Sequence, residues 1–246
     1  MKKILMFIYS IIAYTIGFAS LLFWIISTSN LIPEISIDGE PNLPFYQALL
    51  VNIGLICLFG IPHSVMARKS FKDFITHYIP RPIERSTYVL QAGILLTFLV
   101  YYWQPMGGTI WSITPETTLW YALYVLFFLG WIILFVSTFL INHFDLFGLR
   151  QTFLELQNKP YTELNFKVYS FYKYVRHPLY LGGIIGVWAT PQMTMTHLIF
   201  AIFITTYFVI GTLFEERDLI KDFGKTYKEY KSKTPMLIPF TKLNQR

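Results

Sequence analysis

Five stretches of the chain, at residues 4–27, 45–61, 87–103, 119–141 and 198–214, are almost wholly apolar, and each runs for at least 17 residues. At ~1.5 Å of rise per residue, helices of this length approach or exceed the ~30 Å hydrocarbon core of a bilayer. A chain with five such stretches is expected to fold as an all-α polytopic membrane protein. Composition points the same way. Hydrophobic residues make up 54% and charged residues only 14%, with a mean hydropathy of +0.47, where a soluble domain carries roughly a quarter charged residues. The length of 246 residues predicts a single domain, 1–246.

A sixth apolar run, 179–190, is bracketed by Pro178 and Pro191. Its 12 residues cover only ~18 Å as a helix. It is expected to form a tight helical hairpin with the span that follows, turning through Pro191-Gln192-Met193-Thr194. Met1-Lys2-Lys3 leads straight into the first run without the short apolar core and small-residue cleavage site of a secretory signal, so that run reads as a span.

All 20 Lys and Arg residues fall in alternate segments between these spans. Lys2 and Lys3, then five in 63–86, five in 142–178 and eight in 217–246, share one face. The intervening segments 28–44 and 104–118 carry Glu34, Asp38, Glu40 and Glu116 but no basic residue. The positive-inside rule predicts that both termini are cytoplasmic. Insertion and attraction to anionic headgroups account for the net charge of +6. No recognition-helix or aromatic-platform pattern accompanies it, so nucleic acid is not an expected partner. The lone Cys57 lies in an apolar run and cannot form an internal disulfide.

Polar groups at membrane depth are costly and need a reason. They concentrate in four places on the basic side. The first is 61–68, with His63 and Arg68. In the second, Asn142-His143-Phe144-Asp145-Leu146-Phe147-Gly148-Leu149-Arg150-Gln151, polar and apolar side chains alternate. The third, Tyr174-Val175-Arg176-His177-Pro178-Leu179-Tyr180-Leu181-Gly182-Gly183, sets Pro178 as a first-turn residue. Arg176 and His177 then lie at a helix N-terminus, which favours an anion. Gly182 and Gly186 on one helix face would let a backbone or a flat ligand approach closely. The fourth holds Glu215 and Glu216 at the inner end of a span, followed by Leu219, Phe223, Tyr227 and Tyr230 at helical spacing, an amphipathic tail helix. His63, His77, His143, His177 and His197 show no metal-binding spacing, and no nucleotide or serine-hydrolase motif is present, so no metal is expected.

Arg176-His177-Pro178-Leu179-Tyr180-Leu181-Gly182, then Glu215-Glu216, Phe223-Gly224-x-x-Tyr227-x-x-Tyr230 and Pro235, resembles the isoprenylcysteine carboxyl methyltransferase superfamily. His63-Ser64-x-Met66-Ala67-Arg68, Glu84-Arg85-Ser86 and the 142–151 cluster resemble its nurim branch, and within that branch the bacterial methanethiol S-methyltransferases. The resemblance implies a membrane enzyme that uses S-adenosylmethionine to methylate a small thiol, methanethiol giving dimethyl sulfide. By motif it implies cofactor contacts from a C-terminal region, about 142–240: Arg176, His177, Pro178, Tyr180, Gly182, Glu215, Glu216, Tyr227 and Tyr230. Arg176 suits the cofactor's carboxylate, a glutamate its amino group or ribose, and the tyrosines its adenine and sulfonium. Since the thiolate is the nucleophile, a nearby cation should help; Arg150, His143 and Arg176 are the candidates, with Asp145 orienting one of them. Two alternatives stay open: a prenylcysteine or lipid acceptor, and a non-enzymatic nurim-like membrane protein.

Overall fold

The computed structural model describes residues 1–163 and 166–241. Lys242 and Arg246, counted above among the basic tail residues, lie outside the described residues. Helices run α1 (Lys2–Ser29), α2 (Phe45–Met66), α3 (Lys69–Ile75) and α4 (Glu84–Tyr101), followed by strand β1 (Thr109–Ser112). Then come α5 (Thr118–Ile141), α6 (His143–Leu146), α7 (Leu149–Leu156), α8 (Pro178–Trp188), strand β2 (Gln192–Thr194) and α9 (Met195–Lys233). α1, α2, α4, α5 and α9 are long and apolar enough to cross a membrane, each containing one predicted run nearly in full. The protein is an all-α integral membrane protein. α8, at 11 residues, is too short to span, as its length predicted.

The chain divides into two compact units. The first comprises Met1–Ser112, Asn142–Glu163 and Gln192–His197. Its centre is the pairing of α1 with α4. Between membrane helices there is no hydrophobic drive to associate, so close van der Waals approach through small residues must supply it. Ser10, Ala13, Gly17 and Ser20 form a buried small-residue stripe on α1. Ser86 and Gly93 answer it from α4, and a Cβ on Gly93 would lie 2.8 Å from the Gly17 Cα. α2 is held by its buried Asn52, which donates to the Gln104 carbonyl at 2.9 Å and accepts from the Gln104 N–H at 2.8 Å.

Strands β1 and β2 pair antiparallel in this unit. The sequence predicted a plain turn at 191–194. Three residues pairing with a partner some eighty positions earlier carry no local alternation to reveal them. Beside the sheet the buried His197 sits 2.8 Å from Asp38 Oδ2, and Thr194 Oγ1 donates to Asp38 Oδ1.

The second unit comprises Ile113–Ile141, Leu164–Pro191 and Leu198–Arg246. α5 and α8 meet backbone to backbone: a Cβ on Gly182 would fall 2.5 Å from the Gly130 carbonyl oxygen and 2.6 Å from the Leu134 nitrogen. α8 and α9 form the expected hairpin, with Trp188 Nε1 donating to Thr205 Oγ1 at 2.9 Å and Phe208 seated over Gly183. α9 continues the last span into the tail. At Gly224, with φ 53° and ψ −122°, the helix breaks. The left-handed φ suits glycine, and the break means that the stripe read as one amphipathic surface helix is divided between the end of the long helix from Met195 and a short segment after Gly224. Phe223, Tyr227 and Tyr230 gather around Phe166 at ring-centroid distances of 5.2, 5.7 and 5.4 Å.

Gly182→Ala is expected to lower the thermal midpoint in detergent, because overpacking costs ~1–3 kcal/mol and here the neighbouring atoms are backbone. Gly211→Ala, where nothing lies within 4 Å, is expected to leave the midpoint unchanged or raise it, since Ala in a helix gains ~0.5–1 kcal/mol over Gly.

Candidate functional site

In the second unit the Arg-His-Pro corner and the paired glutamates come together. Pro178 opens α8 with its fixed φ, leaving His177 at the N-cap and Arg176 just before it. The Glu216 side chain, 2% exposed, projects from α9 into this corner. Its Oε1 accepts from Arg176 Nε at 2.6 Å and from His177 Nε2 at 3.2 Å, and its Oε2 lies 2.7 Å from Lys231 Nζ. Arg176 Nη1 donates further to the carbonyls of Lys231 and Thr234. The backbone N–H groups of Arg176 and His177 reach the Pro235 and Met236 carbonyls at 2.9 and 3.2 Å. A carboxylate this deep is tolerable only when paired and hydrogen-bonded on both oxygens, and here it is.

Glu215 differs from its neighbour. Its side chain is 45% exposed; Tyr180 Oη donates to it at 3.1 Å, and His177 Nδ1 lies 3.6 Å away. The rings of His177 and Tyr180 stack at 5.7 Å. Tyr230 donates to the Tyr172 carbonyl at 2.6 Å. Burial, and then the nearby Glu215, push the Tyr172 hydroxyl well above its ordinary range, so it remains protonated. Tyr227 is 1% exposed, and its hydroxyl has no hydrogen-bond partner among the described residues. An orphaned buried donor beside charged groups needs a polar partner.

Two residue expectations need correction here. Gly182, read as a surface against which a cofactor could lie, faces α5 instead, and the space over it is filled by the Gly130 and Leu134 backbone. Gly186 likewise meets the Trp131 ring. Arg176, expected to meet a carboxylate or a thiolate, is buried and paired with Glu216.

The 142–151 cluster lies in the first unit. Asn142 Oδ1 caps the short α6 by accepting from the Asp145 N–H at 3.1 Å. Asp145 accepts from Arg150 Nη1 at 2.8 Å and from Tyr161 Oη at 3.3 Å. Arg150 also donates to the Thr162 carbonyl and hydroxyl at 3.0 and 2.7 Å, with its guanidinium over the Tyr161 ring. Burial foremost, then Asp145, raises the Tyr161 hydroxyl above its usual value. Gly148 turns the chain between α6 and α7 at φ 85°, where a Cβ would strike Ser86. His143, 2% exposed, sits 3.0 Å from the Tyr14 hydroxyl. Burial lowers its pKa from 6.5, so at neutral pH it is an uncharged imidazole and does not act as a cation. Arg150 and Asp145 are therefore together, as expected, but as a closed ion pair.

Lys231, Tyr14 and Tyr161 escaped the sequence reading. Lys231 stands four residues after Tyr227, on that tyrosine's side of a helix. Tyr14 sits within a span and gave no signal. Among the described residues, no group of three His, Cys, Asp or Glu could hold a metal ion.

Glu216→Gln is expected to cost about 3 kcal/mol, because it strands buried cations; Lys231→Met, at a 42% exposed partner, is expected to cost at most ~1 kcal/mol. Denaturant titration in detergent measures both. A histidine with a depressed folded-state pKa loses stability as pH falls below its unfolded value, since the unfolded chain binds the proton first. His143→Gln is accordingly expected to flatten the fall in thermal midpoint between about pH 7 and pH 5.

Comparison with known proteins follows the same lines. No family profile and no solved structure matches the chain. It is 46% identical over 227 residues to the methanethiol S-methyltransferase of Crocosphaera subtropica, covering 92% of this chain and 85% of that protein. It is 41% identical over 240 residues to the methanethiol S-methyltransferase of Mycobacterium tuberculosis, covering 98% of each. Nurim of Xenopus laevis is more distant, at 28% over 187 residues, 70% of this chain and 65% of that protein. With this identity sustained over nearly the whole length, the chain belongs to the methanethiol S-methyltransferase family.

Proposed function

We propose that this protein transfers a methyl group from S-adenosylmethionine to methanethiol, giving dimethyl sulfide. The observation that carries the proposal is the corner in the second unit, where a saturated ionic cluster lies beside an exposed carboxylate and an orphaned tyrosine hydroxyl. The names of relatives at 41% and 46% identity support the reaction and its thiol acceptor. The donor set fits the cofactor. Glu215, with an exposed carboxylate, suits its amino group or a ribose hydroxyl. Tyr227 offers an unused O–H, and the partly exposed rings of Tyr180 and Tyr230 suit an adenine or a sulfonium. Arg176, His177, Pro178 and Glu216 build the rigid frame that holds these groups. When bound, the cofactor would supply an electrophilic methyl on a sulfonium, which a thiolate attacks in line as neutral S-adenosylhomocysteine leaves.

The residues of this chain act chiefly by positioning, which supplies much of the acceleration in such a transfer. Neutral His143 suits a proton acceptor better than a cation, and the Asp145–Arg150 pair fixes the turn that presents it. The whole chain, 1–246, is proposed as one functional domain, with the named cofactor contacts falling in the C-terminal part of the region about 142–240. Both termini are proposed to be cytoplasmic in a bacterial inner membrane. The charge asymmetry supports this orientation, and the bacterial origin of the two closer relatives named above supports the location.

Protein purified in detergent, given methanethiol and S-adenosylmethionine, is expected to release dimethyl sulfide, measured by headspace gas chromatography. Glu215→Gln removes a charge-assisted contact, worth ~1.5–3 kcal/mol, and is expected to raise the KM for the methyl donor roughly 10- to 100-fold, with little change in thermal midpoint. Tyr227→Phe is expected to raise the same KM several-fold. An inactive wild type, or unaltered donor KM in both variants, would refute the proposal; turnover of a prenylated cysteine in place of methanethiol would reassign the acceptor.

A further inference from the structure

Beyond the break in α9 the chain turns back toward the membrane. Glu216 stands just past the apolar run 198–214, where α9 leaves the hydrocarbon. From Glu216 to Gly224 the helix continues for about 12 Å past that level. After Gly224 the direction reverses. Lys231 Nζ lies 2.7 Å from Glu216 Oε2, and Met236 Sδ lies 3.5 Å from Thr212 Oγ1, inside the apolar run itself. The Pro235 and Met236 carbonyls accept from the Arg176 and His177 N–H groups at 2.9 and 3.2 Å, which sets them level with the start of α8. Residues 235–236 are thus tied to the boundary where α9 ends its crossing and α8 begins. The next residues are apolar and face outward. Ile238 and Phe240 are 67% and 62% exposed, and the Phe240 ring meets the exposed ring of Tyr174 at 6.2 Å between centroids. Lys173, beside Tyr174, and Lys233, before the strap, are exposed too. All of these residues belong to the second unit.

We propose that Tyr174, Ile238 and Phe240 form an interfacial anchor, which seats the tail in the headgroup–acyl boundary of the bilayer where α9 emerges; this holds whichever reaction the corner performs. In water the three side chains would be an apolar patch in need of cover. Their level in the fold supplies that cover as lipid. A ring with a polar tip, as in Tyr174, favours the headgroup layer, while phenylalanine and isoleucine gain by entering the edge of the acyl region. Lys173 and Lys233 add attraction to anionic headgroups. A second copy of the chain fits less well, because a two-fold contact sets the same patch against itself and brings lysines toward lysines. The anchor also bears on the ionic corner. The Lys231 and Thr234 carbonyls hold the Arg176 guanidinium, and the Pro235 and Met236 carbonyls hold the backbone beneath it. Side chains seated in lipid at 238 and 240 fasten this strap from its far side, so the bilayer becomes part of what keeps the corner closed.

The test uses the full chain in nanodiscs of mixed phosphatidylcholine and phosphatidylglycerol, with Cys57→Ser removing its single cysteine. Ile238→Cys and Phe240→Cys each carry a bimane label, and Lys225→Cys, at an exposed site just past the break, is the control. With lipids bearing a nitroxide near the top of the acyl chain, quenching at positions 238 and 240 is expected to exceed that at 225 about threefold or more. In unlabelled protein, Ile238→Ser combined with Phe240→Ser is expected to speed tryptic cleavage after Lys233 roughly fivefold in nanodiscs, since cleavage tracks the opened strap. The thermal midpoint in detergent is expected to move by less than about 2 °C, because both side chains are exposed and pack on little. Quenching at 238 and 240 no greater than at 225, or an unaltered cleavage rate in the double variant, overturns the inference. A dimer in light scattering that the double variant abolishes, with no quenching at either position, assigns the patch to a second copy and overturns it too.

Discussion

The Glu216 carboxylate is the constraint around which the second unit is organised. It is nearly inaccessible, yet it draws Arg176 and His177 from the start of α8 and Lys231 from the tail onto its two oxygens. The partners come from segments far apart in the chain, so the cluster fixes their mutual geometry in a way that apolar packing of the same volume would not. The Arg176 guanidinium extends the hold by donating to two tail carbonyls, and two backbone bonds to Pro235 and Met236 complete it. Such clusters are weak sources of net stability but strong determinants of arrangement, because every alternative leaves a buried charge unpaired. What they leave outside is informative: Glu215, one residue away and on a different side of the helix, keeps an exposed carboxylate.

Each unit solves the problem of cohesion in lipid by the same device. Gly17 meets Gly93 in the first, and Gly130 meets Gly182 in the second, each pair so close that no side chain fits between the backbones. The large apolar residues point the other way. Ile4, Leu5, Ile8, Ile11 and Ile12 of α1, and Leu119, Val125, Ile132 and Phe139 of α5, are exposed. In water this would be an aggregation surface. In a bilayer the exposed leucines and isoleucines are solvated by the acyl chains, and dispersion between small-residue faces becomes the main adhesive.

The spans were legible because hydropathy and length are local properties: all five predicted runs fall almost entirely within helices, and the 12-residue run became a helix too short to cross. The meeting of Arg176 and His177 with Glu216 was legible only through family resemblance, since a separation of 40 residues carries no periodicity. At Gly182 the spacing allows a backbone or a flat ligand to approach without saying which; the visitor is the α5 backbone. The tail misled at Gly224, where one left-handed residue ends a stripe that is regular on paper. β1 and β2 were invisible for the reason that short, distant strands always are. His143 is named from the sequence as a candidate cation, but its charge state depends on desolvation, which no sequence pattern records.

Charge balance at the corner narrows what it can receive. Arg176 and Lys231 carry two positive charges, and Glu215 and Glu216 carry two negative ones. The cluster is therefore nearly neutral as a whole, but not uniformly so. The cations are drawn inward to Glu216, and the accessible groups left are the Glu215 carboxylate and the partly exposed rings of Tyr180 and Tyr230. An anion meeting that surface finds its cations already engaged; a cation finds a carboxylate and π-faces. The proposed methyl donor, with an ammonium and a sulfonium outweighing one carboxylate, is the second kind of ligand. The same reasoning moves the activation of the thiol away from a free arginine, because Arg150 and Arg176 both arrive paired. It leaves the rate to be set by how closely sulfur and methyl carbon are held in line.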